Sequence, residues 1–189
     1  MINNIIIAGV GGQGLVLMTK ILSQAAFNEG YDVKTNDVIG LSQRGGMVWG
    51  SVRFGEKIHS PNIRAGEGDI VLALESLEAL RWAHILKPKG KIIYNNTIMY
   101  PTIIQQGKAE YPVEDIANLK NEYDVLELDA VALATEVGNK QMANVVMLGV
   151  LSNFLPFKQD SWESAMKLNL KPQLFEMNIE AFNKAKKIK

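Results

Sequence analysis

The feature that most constrains this chain is a short β-branched run that breaks into Gly9-Val10-Gly11-Gly12-Gln13-Gly14 and resumes as an amphipathic segment. Ile5-Ile6-Ile7-Ala8 is too short for a helix and reads as a strand buried on both faces. Beyond the glycines, Leu15, Met18, Leu22, Ala25 and Ala26 recur at helical spacing until Gly30, which suits a helix stop. Strand, glycine loop and helix therefore follow in that order. Gly9, Gly11 and Gly14 fit G-x-G-x-x-G, in which missing β-carbons permit a tight turn, close approach of a ligand and close helix-to-strand packing. The helix start leaves free N–H groups and about half a positive charge facing the loop, which favours phosphate. The plainer alternative is that the glycines only turn the corner.

With 189 residues the chain is expected to form a single domain, 1–189. Twenty basic and twenty acidic residues leave no global field for nucleic acid or an anionic membrane, and neither is expected as a partner. Lys184, Lys186, Lys187 and Lys189 read as a solvated helix end. The absence of cysteine excludes a disulfide framework, a cysteine nucleophile and a thiolate-held iron–sulfur cluster in this polypeptide. No signal-like start or membrane-length apolar stretch is visible, so a soluble, cytoplasmic protein is expected.

Along the chain, Tyr31 to Asn36 reads as a second strand completing a β-α-β unit. Asp37 then stands where a dinucleotide enzyme would hold a ribose hydroxyl, or serves as an ordinary turn residue. Val38 to Gly46 reads as a loop that presents side chains. In it, Gln43 and Arg44 are candidate ligand contacts, the arginine fork suits phosphate or carboxylate, and Gly45 and Gly46 allow close backbone approach. Met47 to Phe54, followed by Gly55-Glu56 and Lys57 to Ser60, reads as a β-hairpin, an antiparallel edge or a packing site for another chain.

Asp69 to Leu74 is the next buried strand, Ser76 to Leu86 a helix, Pro88-Lys89-Gly90 a turn and Lys91 to Tyr94 a strand. Gly68-Asp69 and Asn95-Asn96 are spaced like the ends of a thiamine diphosphate and magnesium motif. Asp69 precedes its strand whereas Asn95 follows its own, so they lie at opposite edges of a parallel sheet and cannot share a metal ion. Glu75 and Asn95 do reach the same edge as the glycine loop, and Asn95 joins the candidate ligand residues. Pro101 to Pro112 is a looser connection with room for a short strand, Val113 to Tyr123 a helix, and Val125 to Leu128 a strand. Asp129 is placed to cap a helix over 130–137. A second helical run extends from Gly138-Asn139 to Phe154, and Asn144 on its apolar face needs a partner, either backbone or another subunit. C-terminal helices carry Trp162, Met166, Phe175, Ile179 and Phe182. His59 and His84 lack ligand neighbours, so no metal site is expected.

GVGGQG at 9–14, GLSQRGGMVWGSVRFG at 40–55, DIVLALESLEAL at 69–80 and ANVVMLGVL at 143–151 together resemble the gamma-type subunits of 2-oxoacid:ferredoxin oxidoreductases. Within that family the likeness is greatest to the small, beta subunit of the indolepyruvate branch. The resemblance implies one gamma-type catalytic domain of the pyruvate/ketoisovalerate oxidoreductase kind with a Rossmann-like α/β fold: a mostly parallel sheet, helices on both faces and an inserted β-hairpin. It also implies a heteromeric enzyme that decarboxylates an aryl 2-oxoacid oxidatively with coenzyme A. Thiamine diphosphate, magnesium and iron–sulfur clusters would sit on a large partner subunit, and electrons would pass to ferredoxin. Gly9, Gly11, Gly12, Gln13 and Gly14, with Gln43, Arg44, Gly45, Gly46 and Asn95, would then line a cleft for coenzyme A phosphates or for the partner. Two other readings stay open: a free-standing NAD(P)- or flavin-binding oxidoreductase using Asp37, and a gamma subunit specific for pyruvate or 2-oxoglutarate.

Overall fold

The computed structural model of the chain describes residues 3–39 and 46–188. Its centre is β1 (Asn3–Val10), in which Ile5 and Ile7 face one apolar layer while Ile6 and Ala8 face the other. Two-sided burial explains why this strand is an unbroken apolar run instead of an alternating one. Six strands form one sheet in the order β2-β3-β1-β4-β5-β6. β4 (Gly68–Ala73), β5 (Leu86–Asn95) and β6 (Asp124–Leu128) continue from β1 in parallel.

On the other side of β1 the strand expected to complete a β-α-β unit is present and parallel to β1, while the hairpin is corrected. β2 (Asp32–Ile39) does not lie beside β1, because β3 (Met47–Gly55) runs between them, antiparallel to both. The inserted hairpin is therefore β2 with β3, and residues 57–60 are not its second strand. Those residues are drawn off the sheet by side chains of the hairpin itself. Asp32 accepts the Ile58 N–H at 2.8 Å, and the Arg53 guanidinium donates to the carbonyls of Ser60 and Asn62 at 3.0 and 2.6 Å. Trp49 is not a bare edge residue either, since it packs on Trp82 with ring centroids 4.7 Å apart.

α1 (Leu15–Asn28), α5 (Ala130–Glu136), α6 (Ala143–Leu151), α7 (Gln159–Asn169) and α8 (Pro172–Ala185) cover one face of the sheet. α2 (Ser76–Trp82) and α4 (Val113–Asn118) cover the other. α2 passes into a 3-10 turn at Ala83–Ile85, so the expected helix over 76–86 is helical only to Ile85. The segment Pro88-Lys89-Gly90 is a kink inside β5 and not a turn before it, with Lys89 at φ 59° and a shift in the β4–β5 register. The connection 101–112 holds a single helical turn, α3 (Thr102–Gln105), where a short strand was allowed for. The chain leaves β1 through α1 on one face and leaves β4 through α2 on the other. The strand order thus reverses at β1/β4, the place where open α/β sheets form a crevice beyond their carboxyl ends.

α6 is nearly all apolar because it lies between the sheet and α8, and contact with α8 needs Gly149. A β-carbon there would stand 2.4 Å from the Phe182 carbonyl oxygen and 2.9 Å from the Ala185 β-carbon. Alanine normally stabilises a helix interior by about 1 kcal/mol over glycine. Gly149→Ala is expected to reverse that sign and lower stability by about 1–3 kcal/mol through overpacking, read from the urea midpoint of the purified protein.

Candidate functional site

The carboxyl ends of β1, β4 and β5 and the start of α6 enclose a cleft of about 700 Å3. The glycine loop forms one wall, and its residues divide into those that shape it and those that face the opening. Gly9 leaves room for Gln13, whose Oε1 would lie 2.8 Å from a β-carbon at that position. Gln13 folds back to accept the Val10 N–H at 2.7 Å and donates its amide to the Leu74 carbonyl at 3.0 Å. The Gly11 N–H is spent on the carbonyl of Gly46 at 2.8 Å, which ties the loop to the beginning of β3. Gly12 at φ 103° and Gly14 at φ 82° adopt left-handed conformations that strain other residues. Gly12 faces open space, and Gly14 caps α1 with no side-chain bond and no acidic residue in the first turn. The N-terminus of a 14-residue helix consequently opens on the cleft. Leu17 and Met18 give their N–H groups to the Gly14 carbonyl at 3.1 and 3.2 Å, which leaves the Leu15 and Val16 amides for an anion.

The opposite wall comes from a second helix start. Asn144, in the first turn of α6, is buried, and its Oδ1 accepts the adjacent Val145 N–H at 2.9 Å. Its Nδ2 has no acceptor among the described residues and lies against Gly14, where a β-carbon would come within 2.4 Å of it. Lys140 and Gln141 stand on the rim, and no acidic side chain is among the described lining residues. Thr97 and Met99 close the side nearest β5. The resulting site offers donors and positive potential with no carboxylate to oppose them.

Of the residues singled out from sequence, Gly12, Gln13, Gly14 and Asn95 line this cleft, and Gly9, Gly11 and Gly46 brace it from behind. Gln43, Arg44 and Gly45 lie outside the described residues. Asn95 is 2% exposed and engaged on both sides of its amide, accepting the Ala130 N–H at 2.9 Å and donating to Thr97 Oγ1 at 2.7 Å and the Leu74 carbonyl at 3.3 Å. Lys140 escaped the sequence reading. Its signal is the Gly138-Asn139 break, which follows α5 and starts the helical run leading into α6. The Asn144 amide, read as needing a backbone or subunit partner, has the backbone one at its oxygen through the Val145 N–H and turns its donor to the glycine loop.

Asp37 is not placed for a ribose. It sits inside β2, level with Gly50 of β3 and so with Ile7 of β1, and accepts a hydrogen bond from the Thr19 hydroxyl at 3.1 Å. Partial desolvation beside Thr19 of α1 pushes its carboxyl above the usual aspartate range, offset in part by the Thr19 bond and by Lys20, although the residue stays exposed. With β3 interposed, the acid stands two strands away from β1. Asp69 and Asn95 occupy opposite ends of their strands, and Asp69 is bound to Lys87 at 2.5 Å and to the Asn4 N–H at 2.8 Å.

Two buried carboxylates flank the same edge. Glu75 accepts the Glu78 N–H at 3.0 Å, the Met99 N–H at 3.1 Å and the Tyr111 hydroxyl at 2.8 Å, anchoring the 96–112 connection. Glu78 donates nothing and receives little: Arg81 reaches Oε1 at 2.6 Å while Oε2 has no partner among the described residues. Burial raises its pKa, Arg81 offsets part of that rise, and Glu75 adds to it.

The chain matches the pyruvate ferredoxin/flavodoxin oxidoreductase family over residues 4–188. It is 35% identical to the indolepyruvate oxidoreductase subunit IorB of Thermococcus kodakarensis, with 95% of this chain and 92% of that one aligned. The gamma subunit of a keto/oxoacid ferredoxin oxidoreductase from Geobacter sulfurreducens superposes with a TM-score of 0.72 at 21% identity, covering 97% of this chain and 95% of that one. A 2-oxoglutarate:ferredoxin oxidoreductase from Magnetococcus marinus, solved with 2-oxoglutarate, coenzyme A and succinyl-CoA bound, superposes with a TM-score of 0.78 at 20% identity. There the match covers 98% of this chain but 30% of the other. Both structural likenesses establish the fold.

Two outcomes follow from the geometry. Gln13→Ala strands the Val10 donor and one bond of the Leu74 carbonyl, and is expected to cost about 1–3 kcal/mol, with faster amide exchange at Val10 as the local readout. For Glu78 the folded pKa lies above the unfolded value of 4.5, so the native state holds the proton more tightly and loses stability as pH rises through that value. Glu78→Gln should therefore gain on the parent as pH rises from acid to neutral. A stability difference that stays flat across that interval in urea titrations would refute the burial argument.

Proposed function

The chain belongs to the pyruvate ferredoxin/flavodoxin oxidoreductase family, and from that premise we propose that it is the small, gamma-type subunit of an oxidoreductase acting on indolepyruvate or another aryl pyruvate. Residues 1–189 make up its single gamma-type catalytic domain. The branch assignment rests on the 35% identity to a similarly sized indolepyruvate oxidoreductase subunit. Thiamine diphosphate, magnesium and iron–sulfur clusters belong to a large partner subunit, which passes electrons to ferredoxin. This chain supplies no cysteine for a cluster, and its nearest approach to a thiamine motif is split between opposite ends of the sheet. A cytoplasmic location accords with this role, and no helix among the described residues is long and apolar enough to cross a membrane.

Within the complex the cleft holds the pyrophosphate of coenzyme A, the co-substrate present in the Magnetococcus structure. The observation that carries this reading is a set of unspent donors gathered at the glycine loop: the start of α1 and the Asn144 Nδ2 that lies against Gly14, with Lys140 also lining the cleft. When bound, coenzyme A supplies the thiol that accepts the acyl group. The residues of this chain bind and orient it. Gly12 and Gly14 let its phosphates approach the α1 amides, Gly11 ties the loop to Gly46, Asn144 donates beside Gly14 and Lys140 neutralises charge at the rim. Gln13 and Asn95 hold the floor rigid, and Gly9 and Gly46 keep the loop closed behind it. Gln43, Arg44 and Gly45 are assigned to the site on their chemistry alone, a charged fork beside a residue without a side chain.

The test begins with recovery of the chain together with its large subunit and a ferredoxin-linked assay. Aryl pyruvates should be turned over in preference to pyruvate and 2-oxoglutarate; the reverse preference removes the indolepyruvate assignment. Lys140→Ala, Asn144→Ala and Arg44→Ala should each raise the KM for coenzyme A about tenfold, since a hydrogen bond to a charged group contributes about 1.5–3 kcal/mol, while the 2-oxoacid KM and subunit assembly stay unchanged. Unaltered coenzyme A kinetics in all three would sink the phosphate site.

A further inference from the structure

Beside the cleft, on the opposite face of the sheet, a separate cavity of about 230 Å3 opens between the ends of β5 and β6 and the start of α4. Tyr94, Ile98, Tyr111, Val113, Ile116 and Ala117 form most of its walls, and Ser76, Asn96 and Glu127 supply the polar remainder. We propose that this cavity is a socket for the large partner subunit, which seats one large apolar side chain in it from a segment flanked by basic residues. The proposal rests on the small-subunit reading above.

Size and lining argue for a side chain. Pockets for free ligands usually span about 300–1,000 Å3, and this one is smaller. Its two tyrosine hydroxyls are already spent, Tyr94 on the Glu127 carboxylate and Tyr111 on Glu75 at 2.8 Å, and burial with these carboxylates pushes both phenols well above the usual tyrosine range. They therefore present ring faces instead of donors. Tyr100 packs edge-on to Tyr111 at 5.4 Å, so the walls are held in place before anything binds. Such a preformed aromatic pocket is the usual seat of an interface anchor.

The surroundings identify the partner's chemistry. Ile98, Tyr100 and Val113 are 46%, 53% and 63% exposed around the socket, a concentration of apolar surface that costs solubility unless covered. An adjoining groove carries Glu110, Glu114 and Asp115, and the stretch 110–127 holds six acidic residues against Lys120 alone. A basic rim on the partner would match this field and steer docking. The exposed Leu168, Leu174 and Met177 of the C-terminal helices lack such a setting, and the groove near them is lined by Asp160, Glu163 and Lys167. In the Magnetococcus enzyme a unit of this fold makes up 30% of a longer chain, so there the fold is already joined to a larger body.

The experiment measures binding of the full chain to its co-expressed and separated large subunit. Val113→Asp and the charge reversal Glu114→Lys, both at exposed positions, are expected to raise Kd at least about tenfold, with urea midpoints matching the parent. Leu168→Asp, on the far helices, should bind like the parent, and added salt should weaken the parent more than Glu114→Lys. Parent-like binding by Val113→Asp and Glu114→Lys overturns the socket and leaves the small-subunit role standing. Loss of self-association in Val113→Asp with unchanged large-subunit binding also overturns it, assigning the face to a second copy. A parent chain that does not bind the large subunit at all removes the small-subunit reading, and the socket falls with it.

Discussion

The carbonyl oxygen of Leu74 accepts two side-chain amides, from Gln13 at 3.0 Å and from Asn95 at 3.3 Å, and the floor of the cleft is built outward from it. Each amide has a second engagement. Gln13 also receives the Val10 N–H, and Asn95 also receives the Ala130 N–H that begins α5. A line of hydrogen bonds thus runs across the carboxyl edge of the sheet from β1 through β4 and β5 to α5. Backbone groups at strand ends and helix starts lack regular partners and are costly when buried. Here those groups are satisfied by two amides whose geometry also sets the spacing of the strand ends. The cleft is preorganised because its floor is a closed set of bonds, and a ligand meets only the groups left over.

Those leftover groups distinguish a ligand site from a corner. Gly9 and Gly11 are accounted for by the protein itself, one making room for Gln13 and the other donating to Gly46. The glycine pattern alone would be compatible with a purely structural loop. The Asn144 Nδ2 is different, because it lines the cleft beside Gly14 and has no acceptor among the described residues. Its place next to the α1 N-terminus leaves a donor for an acceptor-rich group at the glycine loop.

Local patterns carried most of the sheet into view. Ile5 to Ala8, Asp69 to Leu74 and Val125 to Leu128 were legible because buried parallel strands are continuous apolar runs, and Asp129 was legible as a cap because it precedes one helix directly. What was not legible was non-local. β3 pairs with β2 across the 40–46 segment, and nothing within residues 47–60 says so; Gly55-Glu56 carries an equally good turn signal. The Arg53 contacts that draw 60–62 off the sheet depend on that same distant pairing. Pro88-Lys89-Gly90 misled for the opposite reason, since three turn-forming residues were absorbed as a kink once both flanks found strand partners. In the site, Gln13 and Asn95 were found as cleft residues, but their engagement with backbone groups depends on distances that sequence spacing does not encode.

The 97–99 segment joins the two surfaces at this edge of the sheet. Thr97 and Met99 line the cleft on one side while Ile98 lines the tyrosine socket on the other. The backbone between them is held by buried groups: Thr97 offers its carbonyl to the Ser76 N–H at 3.2 Å, and Met99 gives its N–H to Glu75 at 3.1 Å. Glu75 is in turn bound to the Tyr111 hydroxyl of the socket. A side chain pressed against Ile98 and Tyr111 therefore bears on a segment whose other side forms a wall of the cleft. Closely packed interiors transmit such displacement instead of absorbing it. If docking and coenzyme A binding share this wall, the effect of each on the affinity of the other is equal in free energy.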